Sequence, residues 1–201
     1  MNVSELQSSL PSLVQGHQIE SSRGRVFAQS WTPEHERGAP IMLLHDSLGC
    51  VTLWRDFPAR LMRATGRKVI AYDRLGFGRS DVHDGLLPAS FVEDEARCDF
   101  ELVRQHLAVD RFVALGHSVG GSMAVACAAA YPDACMGVVT MSAQAYVNDM
   151  TREGIRAAEH QFTQAGQMER LARYHGAKAQ WALRAWVDTW LSDAFRAWRL
   201  D

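Results

Sequence analysis

One stretch of this sequence, residues 111–132, constrains the fold more than any other. Residues 112–115 form a short apolar run of strand length, and residues 122–131 are rich in alanine and stop at Pro132, as a helix would. The pentapeptide between them, Gly116-His117-Ser118-Val119-Gly120, fits the pattern G-x-S-x-G. We therefore predict a strand, a very tight turn and a helix in direct succession.

This turn has the features of a nucleophile elbow centred on Ser118. In such an elbow the serine sits on a strained turn whose flanking positions tolerate only glycine, and the turn pushes the hydroxyl out of the sheet. It also directs the unpaired N–H groups of the following helix towards the place where an oxyanion would form. The alternative, a glycine-rich surface turn, would not require the apolar run at 112–115, so we favour the elbow.

The composition narrows the range of partners. The chain has 201 residues, enough for one domain with a sizeable core, and its formal net charge of −2 offers no electrostatic argument for nucleic acid or an anionic membrane. We therefore expect a small-molecule substrate, with no nucleic acid and no membrane as partner. The four cysteines are scattered, without the spacing of a zinc site, and no metal or cofactor is expected.

The N-terminal residues 1–15 have neither the basic segment nor the apolar segment of a signal peptide. The longest apolar run, residues 123–131, is far short of the roughly 20 residues that span a bilayer. We expect a cytoplasmic protein.

Apolar runs alternate with helical patterns along the first part of the chain. We predict a hairpin of strands at 17–20 and 25–31, strands at 41–44, 68–72 and 137–141, a helix containing Trp54, Phe57 and Leu61, and one helix over 91–107. This alternation predicts a mostly parallel sheet with helices on both faces. Ligands of such sheets bind at the carboxyl ends of the strands, where loops 45–49, 73–81 and 116–120 would converge.

The pattern changes after residue 147. Residues 148–201 contain no further apolar strand run, only helical periodicity interrupted by Gly166 and Gly176. We divide the chain into a core, 1–147, and a helical cap or lid, 148–201. Tryptophans recur along the last helix, and such a stripe more often forms a core than a pocket.

Three motifs together resemble the α/β-hydrolase superfamily along nearly the whole chain. LLHDSLG is similar to the oxyanion loop, VIAYDRLGFGRSD to the loop after the fourth strand, and GHSVGG to the nucleophile motif. The resemblance implies an α/β-hydrolase fold with a helical cap insertion. It also implies Ser118 as the nucleophile and the backbone N–H groups of Ser47 and Val119 as the oxyanion hole. His45, Asp46 and His117 are then expected to line the site.

The sequence departs from this family in two places. Members usually carry His-Gly in the oxyanion loop, where this chain has His45-Asp46. The family places the catalytic acid and histidine after the cap, so the resemblance implies that they lie beyond residue 201 and that the last two strands and helices are absent. The histidines that follow Ser118, His160 and His175, fall in cap helices, and we expect neither to act as the base.

The expected function is hydrolysis of a small carboxylic ester or related carbonyl compound through an acyl-enzyme on Ser118. Amides, lactones, diketone-like compounds and peroxide-forming reactions stay open, because the fold does not choose among them. The alternative is a truncated, non-catalytic fragment or interaction module. A C-terminal complementing segment and a homo-oligomer both stay open as protein partners.

Overall fold

The computed structural model describes residues 12–200. The segment 1–11, on which the expectation of no signal peptide mainly depends, and Asp201 lie outside the described residues. The outer ends of the predicted core and cap therefore lie outside them too, and the division at 147/148 stays a prediction.

Six strands form a single sheet within the described residues, in the order β1-β2-β4-β3-β5-β6. The four strands β4, β3, β5 and β6 pair in parallel, and β2 joins β4 antiparallel, with β1 as its hairpin partner. The mixed, mostly parallel sheet predicted from the sequence is confirmed. The strands are β1 Ser12–Ile19, β2 Val26–Pro33, β3 Ile41–Leu44, β4 Val69–Asp73, β5 Phe112–His117 and β6 Cys135–Met141.

The central strands are apolar because helices cover both faces of the sheet. Every residue of β3 and β4 is buried, and the buried side chains form two clusters, one on each face. The edge hairpin is longer than predicted, because β1 begins at Ser12 rather than at His17. Leu13 and Val14 are both exposed, and this part of β1 is stabilised by its pairing with β2. The sequence there has no alternation of apolar and polar residues from which a strand could be predicted.

Four helices flank the sheet in the first part of the chain: α1 Phe57–Thr65, α2 Phe91–Asp94, α3 Asp99–His106 and α4 Val119–Ala130. The prediction of one helix over 91–107 is wrong, because the backbone leaves helical geometry at Cys98, with φ −108° and ψ −114°. Asp99 follows this break, and its carboxylate accepts hydrogen bonds from Leu75 N at 2.7 Å and Arg23 Nη2 at 2.5 Å. These contacts with residues distant in the sequence stabilise the break in the helix. They could not be predicted from the helical pattern of residues 91–107.

Three further helices follow β6, namely α5 Asp149–Phe162, α6 Gln167–His175 and α7 Ala179–Leu191, with Gly166 and Gly176 bounding α6. The segments on either side of these helices meet, because Val147 N donates to Trp198 O at 3.2 Å and Leu200 N to Ala145 O at 2.8 Å. The chain therefore enters and leaves the three-helix segment at adjacent positions, close to the end of β6. No helix in the part of the chain described here is long and apolar enough to cross a membrane.

Strand β6 pairs only with β5 among residues 12–200, so its outer edge has no partner there. Its side chains are also poorly covered, with Met136, Val138 and Val139 between 39% and 48% exposed. An exposed apolar strand at a sheet edge is a template for pairing with another chain.

Candidate active site

Ser118 occupies the turn between β5 and α4 in a strained conformation. Its φ of 55° and ψ of −127° place a non-glycine residue in a region that L-amino acids rarely adopt. The turn is fixed by Ser118 N, which donates to Met141 O at 2.8 Å, and by Gly121 N, which donates to Ser118 O at 2.9 Å. Strain of this kind is typical of functional sites, and of the four non-glycine residues with positive φ in the described part of the chain, Arg55, Ala108, Ser118 and Ser142, only Ser118 belongs to the motif.

The two glycines of the motif are required by close backbone contacts. A Cβ atom at Gly116 would lie 1.9 Å from Gly120 O, and a Cβ atom at Gly120 would lie 2.1 Å from Leu44 O. Neither neighbour is a flexible side chain, so no larger residue fits without moving the backbone. The local sequence thus brings the start of α4 directly against the end of β3, where the 45–49 loop begins.

Asp46 shapes that loop and connects it to the elbow. Its Oδ1 accepts a hydrogen bond from Leu48 N at 3.0 Å, and its Oδ2 lies 3.4 Å from His117 Nδ1. Both side chains are partly exposed, at 37% and 44%. The structure therefore brings Asp46 and His117 together beside Ser118, and their role in lining an active site stays a prediction.

Two backbone N–H groups near Ser118 are available as donors. Within residues 12–200, neither Ser47 N nor Val119 N donates a hydrogen bond to a protein acceptor. Val119 is the first residue of α4, where N–H groups have no partner inside the helix and the helix dipole favours negative charge. These are the two donors that the sequence analysis assigns to an oxyanion hole.

His45 lies beneath the site and does not line it. It is 2% exposed, its Nδ1 donates to Asp46 O at 2.7 Å, and its Nε2 accepts from Arg74 N at 3.3 Å and Arg74 Nε at 3.2 Å. Burial, followed by the nearby Arg74 charge, holds the pKa of His45 well below its ordinary value. His45 is therefore a neutral residue that joins the loops after β3 and β4.

His175 makes a similar connection from the cap helices. Its Nδ1 accepts from Gly78 N at 2.9 Å and its Nε2 donates to Leu48 O at 3.0 Å, so both ring nitrogens are in use. Burial lowers its pKa. The sequence placed His175 on a cap helix but gave no signal that it connects α6 to the loops at the site.

No histidine is hydrogen-bonded to the Ser118 hydroxyl, although all eight histidines of the chain lie within residues 12–200. The Ser118 Oγ instead donates to Gln144 Oε1 at 3.2 Å. Gln144 follows β6, and Ser122 Oγ, on α4, donates to its backbone carbonyl at 2.5 Å. Sequence reasoning missed Gln144, since a glutamine in a short loop carries no recognisable pattern.

A cleft of about 400 Å³ opens over Ser118. Its floor is formed by the 46–48 loop, His117, Ser118 and Gln144, and helices α5 and α7 form the opposite wall. Trp190, only 2% exposed, belongs to the core and also borders this cleft, and Trp186 borders it as well. The tryptophan stripe therefore contributes to both core and pocket, and residues of α5 and α7 border the cleft over Ser118.

Comparison with known proteins places this arrangement in a family. The family model for the alpha/beta hydrolase fold matches residues 39–196, and the chain belongs to that family. It is 30% identical over 112 residues to a (lyso)-N-acylphosphatidylethanolamine lipase of Bos taurus, a match that covers 56% of this chain and 32% of the lipase. It is 32% identical over 92 residues to a proline iminopeptidase of Lactobacillus helveticus, covering 46% of this chain and 31% of that enzyme.

Solved structures share the fold at low sequence identity. A thermophilic esterase from Thermogutta terrifontis superposes with a TM-score of 0.61 at 20% identity, covering 91% of this chain and 73% of the esterase. The resemblance to the α/β-hydrolase superfamily is confirmed. The matched stretch is about a third of the length of the two curated relatives.

Proposed function

We propose that Ser118 is the nucleophile of a serine hydrolase that acts on a small carboxylic ester or related carbonyl compound. The observation that carries this proposal is the strained backbone of Ser118 in a turn whose two glycines admit no larger residue. Two backbone N–H groups beside it donate no hydrogen bond to a described residue. A serine in this position can react with a ligand in the cleft. The two N–H groups can donate hydrogen bonds to the negative charge that develops on the carbonyl oxygen of the ligand. The lipase and esterase among the similar proteins support an ester as the substrate class.

In the proposed reaction, Ser118 Oγ attacks the substrate carbonyl carbon and forms a tetrahedral intermediate. Its oxyanion accepts hydrogen bonds from Ser47 N and Val119 N. The C–O bond to the alcohol then breaks, the alcohol leaves with the proton that the Ser118 hydroxyl gave up, and an acyl-enzyme remains. Water attacks the acyl-enzyme, and the carboxylic acid and free Ser118 are released. Gln144, the present acceptor of the Ser118 proton, is a neutral amide and cannot serve as a general base.

The test is hydrolysis of p-nitrophenyl esters by the protein that carries this chain, compared with its Ser118→Ala variant. We expect Ser118→Ala to abolish hydrolysis above the rate in buffer. Ser22→Ala removes a hydroxyl from an exposed residue of the β1–β2 turn and serves as the matched control, which should retain full activity. Hydrolysis that survives in Ser118→Ala would refute the proposal.

A second reading, a non-catalytic fragment or interaction module, is favoured by two observations. No histidine is hydrogen-bonded to Ser118, and the apolar edge of β6 has no partner among the described residues. General-base assistance is worth roughly 10² to 10⁴ in rate, so a chain without it should hydrolyse esters very slowly. Ester hydrolysis at a rate typical of enzymes by the isolated, monomeric 201-residue chain would exclude this reading.

A further inference from the structure

The wall of the cleft opposite Ser118 is almost entirely apolar. Four residues of α5 and two of α7 form it: Met150, Thr151, Gly154, Ile155, Trp186 and Trp190. Met150 and Gly154, Thr151 and Ile155, and Trp186 and Trp190 are each four residues apart, which places the members of each pair on the same face of their helix. The ionisable side chains that border the cleft, Asp46 and His117, both belong to the opposite side, so the helical side suits an uncharged, apolar group.

Gly154 stands out in this wall, because nothing within the protein requires a glycine there. It lies near the middle of the 14-residue helix α5, where glycine is less favourable than alanine. Its φ is not positive, and a Cβ atom added to it would meet no heavy atom within 4 Å. Gly154 is itself exposed, so the missing side chain leaves space that is open to the cleft over Ser118.

This empty space suits the acyl part of an ester better than its alcohol part. The acyl group stays bonded to Ser118 between the two steps of the proposed reaction, whereas the alcohol must leave before water attacks. An apolar wall can contact the acyl chain throughout, and the alcohol needs the open mouth of the cleft. The cleft volume of about 400 Å³ lies at the lower end of the range typical of small-molecule sites.

We infer that Gly154 is a specificity-determining residue, and that the space above it accepts the unbranched apolar acyl chain of a medium-chain ester. This inference rests on the proposed function of Ser118. A larger side chain at position 154 would occupy the space of the acyl chain and shift the preference towards short acyl groups. One methylene in an apolar pocket changes selectivity by about 10-fold to 200-fold, so even a small side chain should have a measurable effect.

The experiment compares p-nitrophenyl acetate with p-nitrophenyl octanoate for wild type, Gly154→Ala and Gly154→Val. The ratio of kcat/KM for octanoate to that for acetate should fall by about 10-fold or more in Gly154→Val, with Gly154→Ala between. Ala157→Val makes a similar change at an exposed position of α5 that does not border the cleft, and should leave the ratio unchanged. An unchanged ratio in a folded Gly154→Val variant, checked by its thermal melting curve, would overturn the inference.

A binding measurement separates this inference from the proposed function. Titration calorimetry with octanoate, carried out in the Ser118→Ala background, requires no turnover and tests only the space beside Gly154. Octanoate should bind this background at least tenfold more tightly than the Ser118→Ala/Gly154→Val double variant. Equal affinity for the two proteins, or no binding to either, contradicts the inference, whereas activity that persists in Ser118→Ala contradicts the proposed function alone.

Discussion

Replacement of Gly120 by alanine should disrupt the candidate site, because the added methyl group would clash with the backbone of a neighbouring strand. The new Cβ atom would lie 2.1 Å from Leu44 O and 2.6 Å from His45 O, whereas ordinary van der Waals contacts begin at 3.4 Å. Relief of these contacts requires α4 and the end of β3 to separate by about 1 Å. Both partners are backbone, and Leu44 is held in register opposite Gly116 of β5, so no flexible side chain can absorb the change.

Both stability and activity should respond. Overpacking of a core typically costs about 1–3 kcal/mol, and we expect about 3 kcal/mol or more here because the clash is with rigid backbone. The same displacement would move Val119 N away from Ser47 N, and a misplacement of about 1 Å costs about 10²-fold in rate. Gly137→Ala on β6 is the matched control, since its Cβ atom would meet nothing within 4 Å, and it should be neutral or slightly stabilising.

Urea unfolding followed by circular dichroism measures the free energy of unfolding of both variants, and ester hydrolysis measures activity. Gly121→Ala provides an intermediate case, because its Cβ atom would lie 2.7 Å from the Cβ of Ala143. The expected order of destabilisation is Gly120→Ala, then Gly121→Ala, then Gly137→Ala. If Gly120→Ala unfolds at the same urea concentration as wild type and retains its activity, the description of a rigid, glycine-dependent elbow is wrong.

Two further predictions concern charged groups. Asp46→Asn keeps an acceptor for Leu48 N but removes a negative charge beside the proposed oxyanion hole. It should therefore raise the rate of ester hydrolysis at neutral pH by about fivefold. An unchanged rate and pH–rate profile would show that Asp46 only shapes the turn. Burial, followed by the Asp99 charge, raises the pKa of Glu95 to about 8. The folded protein therefore retains a proton that the unfolded chain releases above about pH 4.5, and stability present at low pH is lost as the pH rises through 8. Glu95→Gln should remove this loss of stability. The urea midpoint of Glu95→Gln minus that of wild type should therefore increase from pH 5 to pH 9. A difference that does not change with pH would contradict burial of Glu95 as the cause of its raised pKa.

The sequence predicted the succession of strand, tight turn and helix well because its signals are consecutive in the chain. A four-residue apolar run, two glycines and an alanine-rich helix are consecutive in the chain, and the contact that requires Gly116 is with Gly120 of the same turn, whereas the contact that requires Gly120 is with the distant Leu44. The fully buried strands β3 and β4 could be predicted for a similar reason. A strand that is buried on both faces of the sheet appears in the sequence as an uninterrupted apolar run.

Features that depend on distant contacts could not be predicted in the same way. The helix break at Cys98 is held by bonds from Asp99 to the hairpin turn and to Leu75, and the roles of Gln144 and His175 arise from loops that meet only in the folded chain. The sequence also named His45 as lining the site, and only the structure shows it buried behind the Asp46 loop and bonded to Arg74. Periodicity reports which face of an element is apolar and carries no information on which polar side chains meet across elements.

The central claim, that Ser118 is the reactive serine, is tested most directly by covalent labelling with a fluorophosphonate followed by peptide mass spectrometry. The account predicts one phosphonylated peptide, which contains Ser118, and no labelling of the Ser118→Ala variant under the same conditions. A stable adduct on a different serine, or equal labelling of wild type and Ser118→Ala, would contradict it.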